Sequence, residues 1–253
     1  MGRLFFTTNS DNVDCGTHTD INGITKLTMS MWHYQSSSSN VSNFGKRNSL
    51  QRTFLSKDSG GRFFFYLSTT TDAYGYFDAS ALLGWNQFTL VYDGTLTGNS
   101  SRLKGYLNGV QQTLTFNLTI PAATSSTAGN LYIGAINGTG AVTDIPMAEC
   151  AMWKVALTPN EVALLGNHYS PEWIRPESLI EYVDLISTVY SRKNTRLLVT
   201  GGLPSSHPFI IYPTPIRYSE YATVPVTTTT KFRKTLSGIG TKVGSRQIHN
   251  WGG

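Results

Sequence analysis

Apolar and polar residues alternate twice between residues 85 and 109, and each alternating run ends at a turn sequence. The residues that share the apolar face are Phe88, Leu90 and Tyr92 in the first run and Leu103, Gly105 and Leu107 in the second. An Asp-Gly pair at 93–94 ends the first run, and an Asn-Gly pair at 108–109 suits the positive φ of a tight hairpin turn. The pattern predicts two antiparallel strands with one apolar side, which a second sheet has to cover.

The same stretch matches the motif W-x-x-[FL]-x-x-x-Y-D-G and then all but the first position of the motif L-Y-[VL]-N-G-V, where Gly105 replaces Leu. The matching positions are Trp85, Phe88, Tyr92, Asp93, Gly94, Tyr106, Leu107, Asn108, Gly109 and Val110. Further segments of the same kind occur in order: NVDCG at 12–16, LTMSMW at 27–32, LYIGA at 131–135 and AMWKVALTPNEVALL at 151–165. Together they resemble the laminin-G-like, or concanavalin A-like, lectin/glucanase family. The resemblance covers roughly residues 5 to 170 and implies an all-β fold, a two-sheet antiparallel β-sandwich or jelly roll.

The composition agrees with this fold class. The chain has 253 residues, 24 glycines and 12% aromatic residues, which suits one large β core with frequent turns. The family's fold implies that Cys15 and Cys150 lie close enough for a disulfide. We favour two buried thiols, because a chain without a cysteine framework suits a reducing compartment. The run Leu4-Phe5-Phe6 is too short for a signal sequence, and no later run is long enough to cross a membrane.

The sequence after the sandwich predicts a connector at 171–221 and a C-terminal arm at 222–253, which leaves residues 1–170 as the jelly roll. Thr158, Pro159 and Glu161 form a helix-start signature ahead of an apolar run. The apolar residues from 179 to 186 fit a helix by their spacing, and they fit equally a strand that returns to the sheet. Helix and strand are both left open for this segment.

Two connector segments resemble members of the family found in phage genomes. SPEWIRPESLIEY at 170–182 matches the motif S-P-x-x-[IL]-R-P-x-S-L-[IV]-x-Y, and HPFIIYP at 207–213 matches H-P-x-I-I-Y-P. This resemblance implies a virion-associated protein.

The net positive charge of the chain comes from the arm alone. Residues 1–221 carry 15 basic and 15 acidic residues, whereas residues 222–253 carry five basic and none acidic, which gives the net charge of +5. One interpretation is a flexible, solvated end. The one we favour is an extended arm that docks on a partner by adding a strand or by contacting an acidic surface. Nucleic acid is disfavoured, because five charges bind phosphate only modestly. The arm residues expected to make contacts are Lys231, Phe232, Arg233, Lys234, Lys242, Arg246 and Trp251.

The sequence offers little catalytic chemistry. The glucanases of this superfamily use an E-x-D-x-E strand, which puts two carboxylates on one face, and this sequence has no such triplet. The five histidines are scattered without zinc-ligand spacing, and His33 is expected to be a packed strand residue. We therefore expect that the protein is not an enzyme.

The resemblance to the family suggests two possible binding sites, one for calcium and one for a sugar. A calcium ion could be held by Asp11, Asn12, Asn137 and Asp144, although all four are also ordinary turn formers. No other cofactor is expected. A sugar could stack on Tyr74, Tyr76 and Phe77, although an alternating aromatic run is also typical of strand packing.

These observations lead to two functional hypotheses. The first is a non-enzymatic phage structural protein in the virion, a capsid decoration or fibre component. Its jelly roll would face outward, and its arm would dock on the major capsid protein or another virion protein, in repeated copies or as a homo-oligomer. The alternative is a secreted or surface carbohydrate-binding, lectin-like module that contacts a host glycan. No membrane association is expected under either hypothesis.

Overall fold

The computed structural model describes residues 2–5, 12–37, 41–136, 139–140, 145–186, 190–194, 196–197, 199–200 and 203–213. The described residues fall in a single compact unit that ends at Pro213. The predicted arm at 222–253 lies outside the described residues, and so does the end of the predicted connector. The division of the chain at residues 170 and 221 therefore stays a prediction.

The elements of the described part are mainly short strands. In chain order the strands are β1 (Gly2–Phe5), β2 (Val13–Asp14), β3 (Lys26–Gln35), β4 (Ser42–Asn48), β5 (Gln51–Lys57), β6 (Arg62–Ser68), β7 (Tyr74–Asp78), β8 (Gly84–Asp93), β9 (Leu103–Leu107), β10 (Val110–Gln112), β11 (Thr115–Asn117), β12 (Leu131–Ile133), β13 (Ala135–Ile136), β14 (Thr139–Gly140), β15 (Ile145–Trp153), β16 (Leu179–Val183), β17 (Tyr190–Ser191), β18 (Arg196–Leu197), β19 (Val199–Thr200) and β20 (Leu203–Ser205). The helices are α1 (Asn99–Arg102) and α2 (Pro159–Gly166), with single 3-10 turns at Thr19–Ile21 and Pro171–Trp173. None of the described helices has the length and apolar character needed to cross a membrane.

These strands form two large antiparallel sheets. In sheet A the order is β10-β9-β8-β3-β15-β16-β17-β18, and β1 pairs with both β15 and β20. In sheet B the order is β11-β7-β6-β5-β4-β12-β2-β19, while β13 and β14 pair separately. The predicted all-β sandwich is confirmed.

The hairpin predicted between residues 85 and 109 is present as β8 and β9. Leu90 lies opposite Gly105, and Tyr92 lies opposite Leu103. The predicted apolar face is buried in the core between the sheets, where Leu90 and Tyr92 are fully buried. The turn that follows β9 has positive φ at both Asn108 and Gly109, as predicted. A side chain at 109 would also strike helix α2, because a Cβ there would lie 2.9 Å from a backbone atom of Ala163.

The main core lies between the two sheets, and His33 of β3 is part of it. Its ring packs edge-on against Phe63 and Phe88, with centroid distances of 6.4 and 6.1 Å. Burial, followed by the charge of Lys57, lowers the pKa of His33 to about 3, so the ring is neutral at ordinary pH. The prediction that His33 is a packed strand residue is confirmed. Cys15 and Cys150 are both buried.

Helix α2 and the chain that follows it cover the outer face of sheet A. The Thr158 hydroxyl accepts from the backbone N–H of Glu161, whose carboxylate accepts from the backbone N–H of Thr158, so the predicted capping box is present. Val162 and Leu165 of α2 pack against the sheet. The segment whose conformation the sequence left open is extended, because β16 (Leu179–Val183) pairs with β15.

Candidate functional site

Five aromatic side chains share the outer face of sheet B, and we call this set the aromatic face. Its members are Phe54 on β5, Phe64 and Tyr66 on β6, and Tyr74 and Tyr76 on β7. Strand geometry explains the set, because alternate residues point to opposite faces of a sheet. Their sequence neighbours point inward and build the core, among them Leu55, Phe63, Phe65 and Phe77.

The strand register brings these rings into contact. Tyr66 lies opposite Phe54 on one side and opposite Tyr74 on the other. The Phe54 and Tyr66 rings stack at 4.5 Å, and the Tyr66 and Tyr74 centroids are 4.9 Å apart. Phe64 and Tyr76 stack at 5.3 Å in the neighbouring register position. The three tyrosines are partly exposed, whereas the two phenylalanines are buried. The result is a continuous set of contacting rings, of which the tyrosines form the exposed part.

Two arginines lie over this surface, and each is held by a carboxylate. The Arg52 guanidinium lies 5.5 Å from the Tyr66 centroid and donates to Asp72 at 2.5 Å. The Arg62 guanidinium lies 5.1 Å from the Phe64 centroid and donates to Asp58 through Nη2 at 2.7 Å. Cation–π contact and charge-assisted hydrogen bonds therefore hold both guanidinium groups over the rings, each beside its carboxylate.

The tyrosine hydroxyls supply further hydrogen-bonding groups. Burial, followed by the charge of Asp72, raises the pKa of Tyr66 to about 12, so its hydroxyl stays protonated and able to donate at neutral pH. The face therefore combines flat apolar surface with donors and acceptors around it. This combination suits a ligand that is itself flat and amphipathic.

Gly45 on β4 is required for the ring packing. Its φ is +149°, and a Cβ at this position would lie 2.2 Å from the Cβ of Phe54, directly opposite. Only glycine leaves room for Phe54 to lie flat at this point of the sheet.

The sequence prediction for a sugar site identified part of this face. Tyr74 and Tyr76 lie on it, as partly exposed rings. Phe77 points the other way and is 8% exposed in the core, so its ring is not part of the surface. Phe64 and Tyr66 were missed, because the run RFFFYLS does not reveal which rings point outward. Phe54 was missed because it is the single aromatic residue of its strand.

Of the calcium candidates, only Asn12 lies within the described residues, where it is partly buried. Asp11, Asn137 and Asp144 lie outside them, so the proposed calcium set stays a prediction. Within the described ranges, no group of three or more His, Cys, Asp or Glu side chains could hold a metal ion. The arm residues from Lys231 to Trp251 also lie outside the described part.

A second polar cluster lies beneath the connector, around a buried carboxylate. Glu149 is 1% exposed and sits at an irregularity of β15 with a left-handed backbone, φ +54°. Its carboxylate accepts from the Tyr182 hydroxyl at 2.5 Å and from the Tyr212 hydroxyl at 2.6 Å, and it lies 3.0 Å from His207 Nε2. The Tyr182 hydroxyl also lies 3.3 Å from Ser170 Oγ.

The members of this cluster come from the two connector motifs. Ser170 and Tyr182 belong to SPEWIRPESLIEY, and His207 and Tyr212 belong to HPFIIYP. Glu149 lies on the sandwich itself, so these residues tie the connector to sheet A. Burial, followed by the charge of Glu149, raises the pKa of Tyr182 well above its usual value. The two motifs therefore have a structural role within this chain.

A family model described as the concanavalin A-like lectin/glucanases superfamily matches residues 7–163. No curated protein matches the sequence. Among solved structures, the CBM40 of the Ruminococcus gnavus IT-sialidase bound to α2,3 sialyllactose is 14% identical, with a TM-score of 0.48, and 65% of this chain and 96% of that chain are covered. A putative carbohydrate binding protein from Bacteroides ovatus ATCC 8483 is 13% identical, with a TM-score of 0.48. The match covers 82% of this chain and 61% of that chain.

The structure titled NanB plus Optactamide is 14% identical, with a TM-score of 0.49 over 64% of this chain. The chain spans only 27% of the length of that structure. Likeness at these levels says nothing about which ligand this chain binds. The family model covers well over half of the chain, and it agrees with the sandwich and with the motifs around β8 and β9. The chain belongs to the concanavalin A-like lectin/glucanases superfamily.

Proposed function

We propose that the protein is a non-enzymatic, lectin-like module that binds a glycan on the aromatic face. The observation that carries this proposal is the set of partly exposed tyrosine rings on an open sheet, flanked by fixed arginine–carboxylate pairs. Solvent-facing rings cost hydration free energy unless a ligand covers them, and contiguous exposed apolar surface on a soluble protein often marks a binding site.

A sugar ring fits this arrangement better than a purely apolar ligand does. Its C–H face is attracted to the negative face of an aromatic ring, while its hydroxyls point outward from the ring edge. Arg52 with Asp72, and Arg62 with Asp58, offer donors and acceptors at that edge. Membership of a superfamily that includes lectins supports the proposal, although a fold by itself does not specify a ligand.

Glycan-array binding by the full chain tests the proposal, followed by titration calorimetry with the best ligand. We expect the wild-type protein to bind a subset of glycans and the double variant Tyr74→Ala/Tyr76→Ala to bind them at least about tenfold more weakly, since two stacking contacts are lost. Tyr169→Ala is the matched control, because Tyr169 is 37% exposed and lies just after helix α2, outside the aromatic face. Failure of the wild type to bind any glycan, or equal binding by the double variant, would contradict the proposal.

The virion role predicted from the connector motifs and the basic arm is kept as a second proposal. Part of its basis has another explanation, since Ser170, Tyr182, His207 and Tyr212 make contacts within the chain. The two roles are compatible, because a fibre component that touches a host surface can do so through a glycan-binding face. Particle association through the arm would be tested by co-sedimentation of the full chain with assembled capsids. Equal co-sedimentation of a variant with the five arm cations changed to glutamine would contradict docking through that arm.

A further inference from the structure

A small surface pocket adjoins the aromatic face at the far end of β4. Its lining residues are Arg47, Asn48, Gly129, Asn130 and Tyr132. The chain at Gly129 passes very close to β4, because a Cβ at this position would lie 2.8 Å from the Arg47 carbonyl oxygen. We call this site the Arg47 pocket.

Arg47 differs from the other two arginines on this face because it has no carboxylate partner among the described residues. Its Nε atom is buried and makes no hydrogen bond to any described residue. Asp72, whose charge acts on Arg47, already accepts from Arg52. Burial of the guanidinium, followed by the charge of Arg52, lowers the pKa of Arg47, yet an arginine stays protonated at neutral pH. A partly buried cation with an unused donor is costly until a partner satisfies it.

The other polar groups of the pocket leave Arg47 available. Asp14 lies beside the pocket, but its carboxylate accepts from Asn130 Nδ2 at 2.9 Å and from the backbone N–H of Gly16 at 2.7 Å. Asn48 is exposed, and its amide makes no hydrogen bond within the described part of the chain. Within the described part of the chain, therefore, no acceptor satisfies the Nε donor of Arg47.

The pocket is continuous with the aromatic face. Arg47 lies directly opposite Arg52 on the neighbouring strand, and Arg52 lies over the Tyr66 ring. Gly45, two residues before Arg47 on the same face of β4, lies opposite Phe54. Residues two apart on a strand are separated by about 7 Å, so a substituent of a sugar on the rings can reach the guanidinium.

We propose that the Arg47 pocket binds the negatively charged group, a carboxylate or a sulfate, of an acidic sugar whose ring lies on the aromatic face. Arginine suits both groups, since its planar fork matches two oxygens of a carboxylate or sulfate. This inference rests on the proposed function, because it needs the aromatic face to hold the sugar. It narrows the ligand to glycans that carry uronic acids, other carboxylated sugars or sulfate esters.

The test uses the full chain on an array in which each neutral sugar is printed beside its carboxylated and its sulfated counterpart. Calorimetry on the best pair then compares the wild type with Arg47→Gln. Lys154→Gln is the control for loss of one positive charge. Lys154 is exposed and directly follows β15, a strand of sheet A, whereas the aromatic face lies on sheet B. Any general attraction between the basic arm and acidic sugars is present in all three proteins and cancels.

We expect the wild type and Lys154→Gln to favour the charged sugar by at least about tenfold, as for a hydrogen bond to a charged group. Arg47→Gln should lose that preference and still bind the neutral sugar. Comparison of the carboxylated with the sulfated sugar identifies which anion the pocket binds. Equal wild-type binding of charged and neutral sugars, or a preference that survives in Arg47→Gln, would overturn the inference and leave the proposed function standing. Binding of neither kind of sugar would overturn both.

Discussion

Replacement of Tyr182 by phenylalanine should lower the free energy of unfolding by about 2 kcal/mol. The hydroxyl donates to the Glu149 carboxylate at 2.5 Å, and both side chains are buried, at 0% and 1% exposure. Loss of a hydrogen bond to a charged group costs roughly 1.5–3 kcal/mol. The loss should not reach the roughly 3–5 kcal/mol of a wholly unpaired buried charge, because Tyr212 and His207 still contact Glu149.

Urea denaturation at neutral pH, followed by circular dichroism, measures this loss. Tyr106→Phe is the matched control, since Tyr106 is 1% exposed and its hydroxyl makes only a 3.3 Å contact with the neutral side chain of Gln111. We expect the control to lose less than about 1 kcal/mol. If Tyr182→Phe lost less than about 0.5 kcal/mol, or no more than the control, the account of the cluster as a tie between connector and sandwich would be refuted.

Three further predictions use the same unfolding assay. Burial raises the pKa of Tyr182, so above about pH 10 the unfolded tyrosine ionises while the folded one stays protonated. The free energy of unfolding should therefore fall as pH rises, and Tyr182 should contribute up to about 1.4 kcal/mol per pH unit to this fall. Tyr182→Phe should show a correspondingly shallower decline between pH 10 and 11, and an unchanged slope would contradict this assignment. Thr158→Ala should cost about 1 kcal/mol through loss of the capping box at α2, whereas no change would mean that the cap is unimportant. Gly45→Ala should cost more than about 2 kcal/mol, because its Cβ would strike Phe54, and a neutral result would contradict the packing described.

The sandwich was predictable because its signals are local. The alternation in β8 and β9 has period 2, and the Asn-Gly turn after β9 requires positive φ, so pairing and inward face follow from adjacent residues. The capping box at Thr158 is equally local. The segment 179–186 was not decided by its own pattern, because pairing with β15, a long-range interaction, makes Leu179–Val183 extended.

The candidate site was predictable only in part, because it is assembled across strands. Tyr74 and Tyr76 could be identified from the alternation in one strand. Tyr66 belongs with them only through its register with Tyr74, and no residue near it in sequence indicates that register. The lack of a carboxylate partner for Arg47 among the described residues is even harder to predict, since it depends on Asp72 being engaged by Arg52.

The buried carboxylate of Glu149 could not be found from the sequence either. Strict alternation along β15 would turn its side chain toward the core, and the backbone irregularity between Ala148 and Ala151 redirects it. The two connector motifs did indicate that Tyr182 and Tyr212 were special. They did not reveal that the partner of both is a residue of the sandwich.

The most direct test of the central claim is an NMR titration of the full chain, labelled with ¹³C in its tyrosine rings, with the glycan that binds best on the array. We expect the signals of Tyr66, Tyr74 and Tyr76 to shift in proportion to occupancy. The buried tyrosines that should remain unchanged are Tyr92, Tyr106 and Tyr182. Shifts confined to tyrosines outside the aromatic face, with Tyr66, Tyr74 and Tyr76 unmoved at saturation, would contradict the claim that this face binds the glycan.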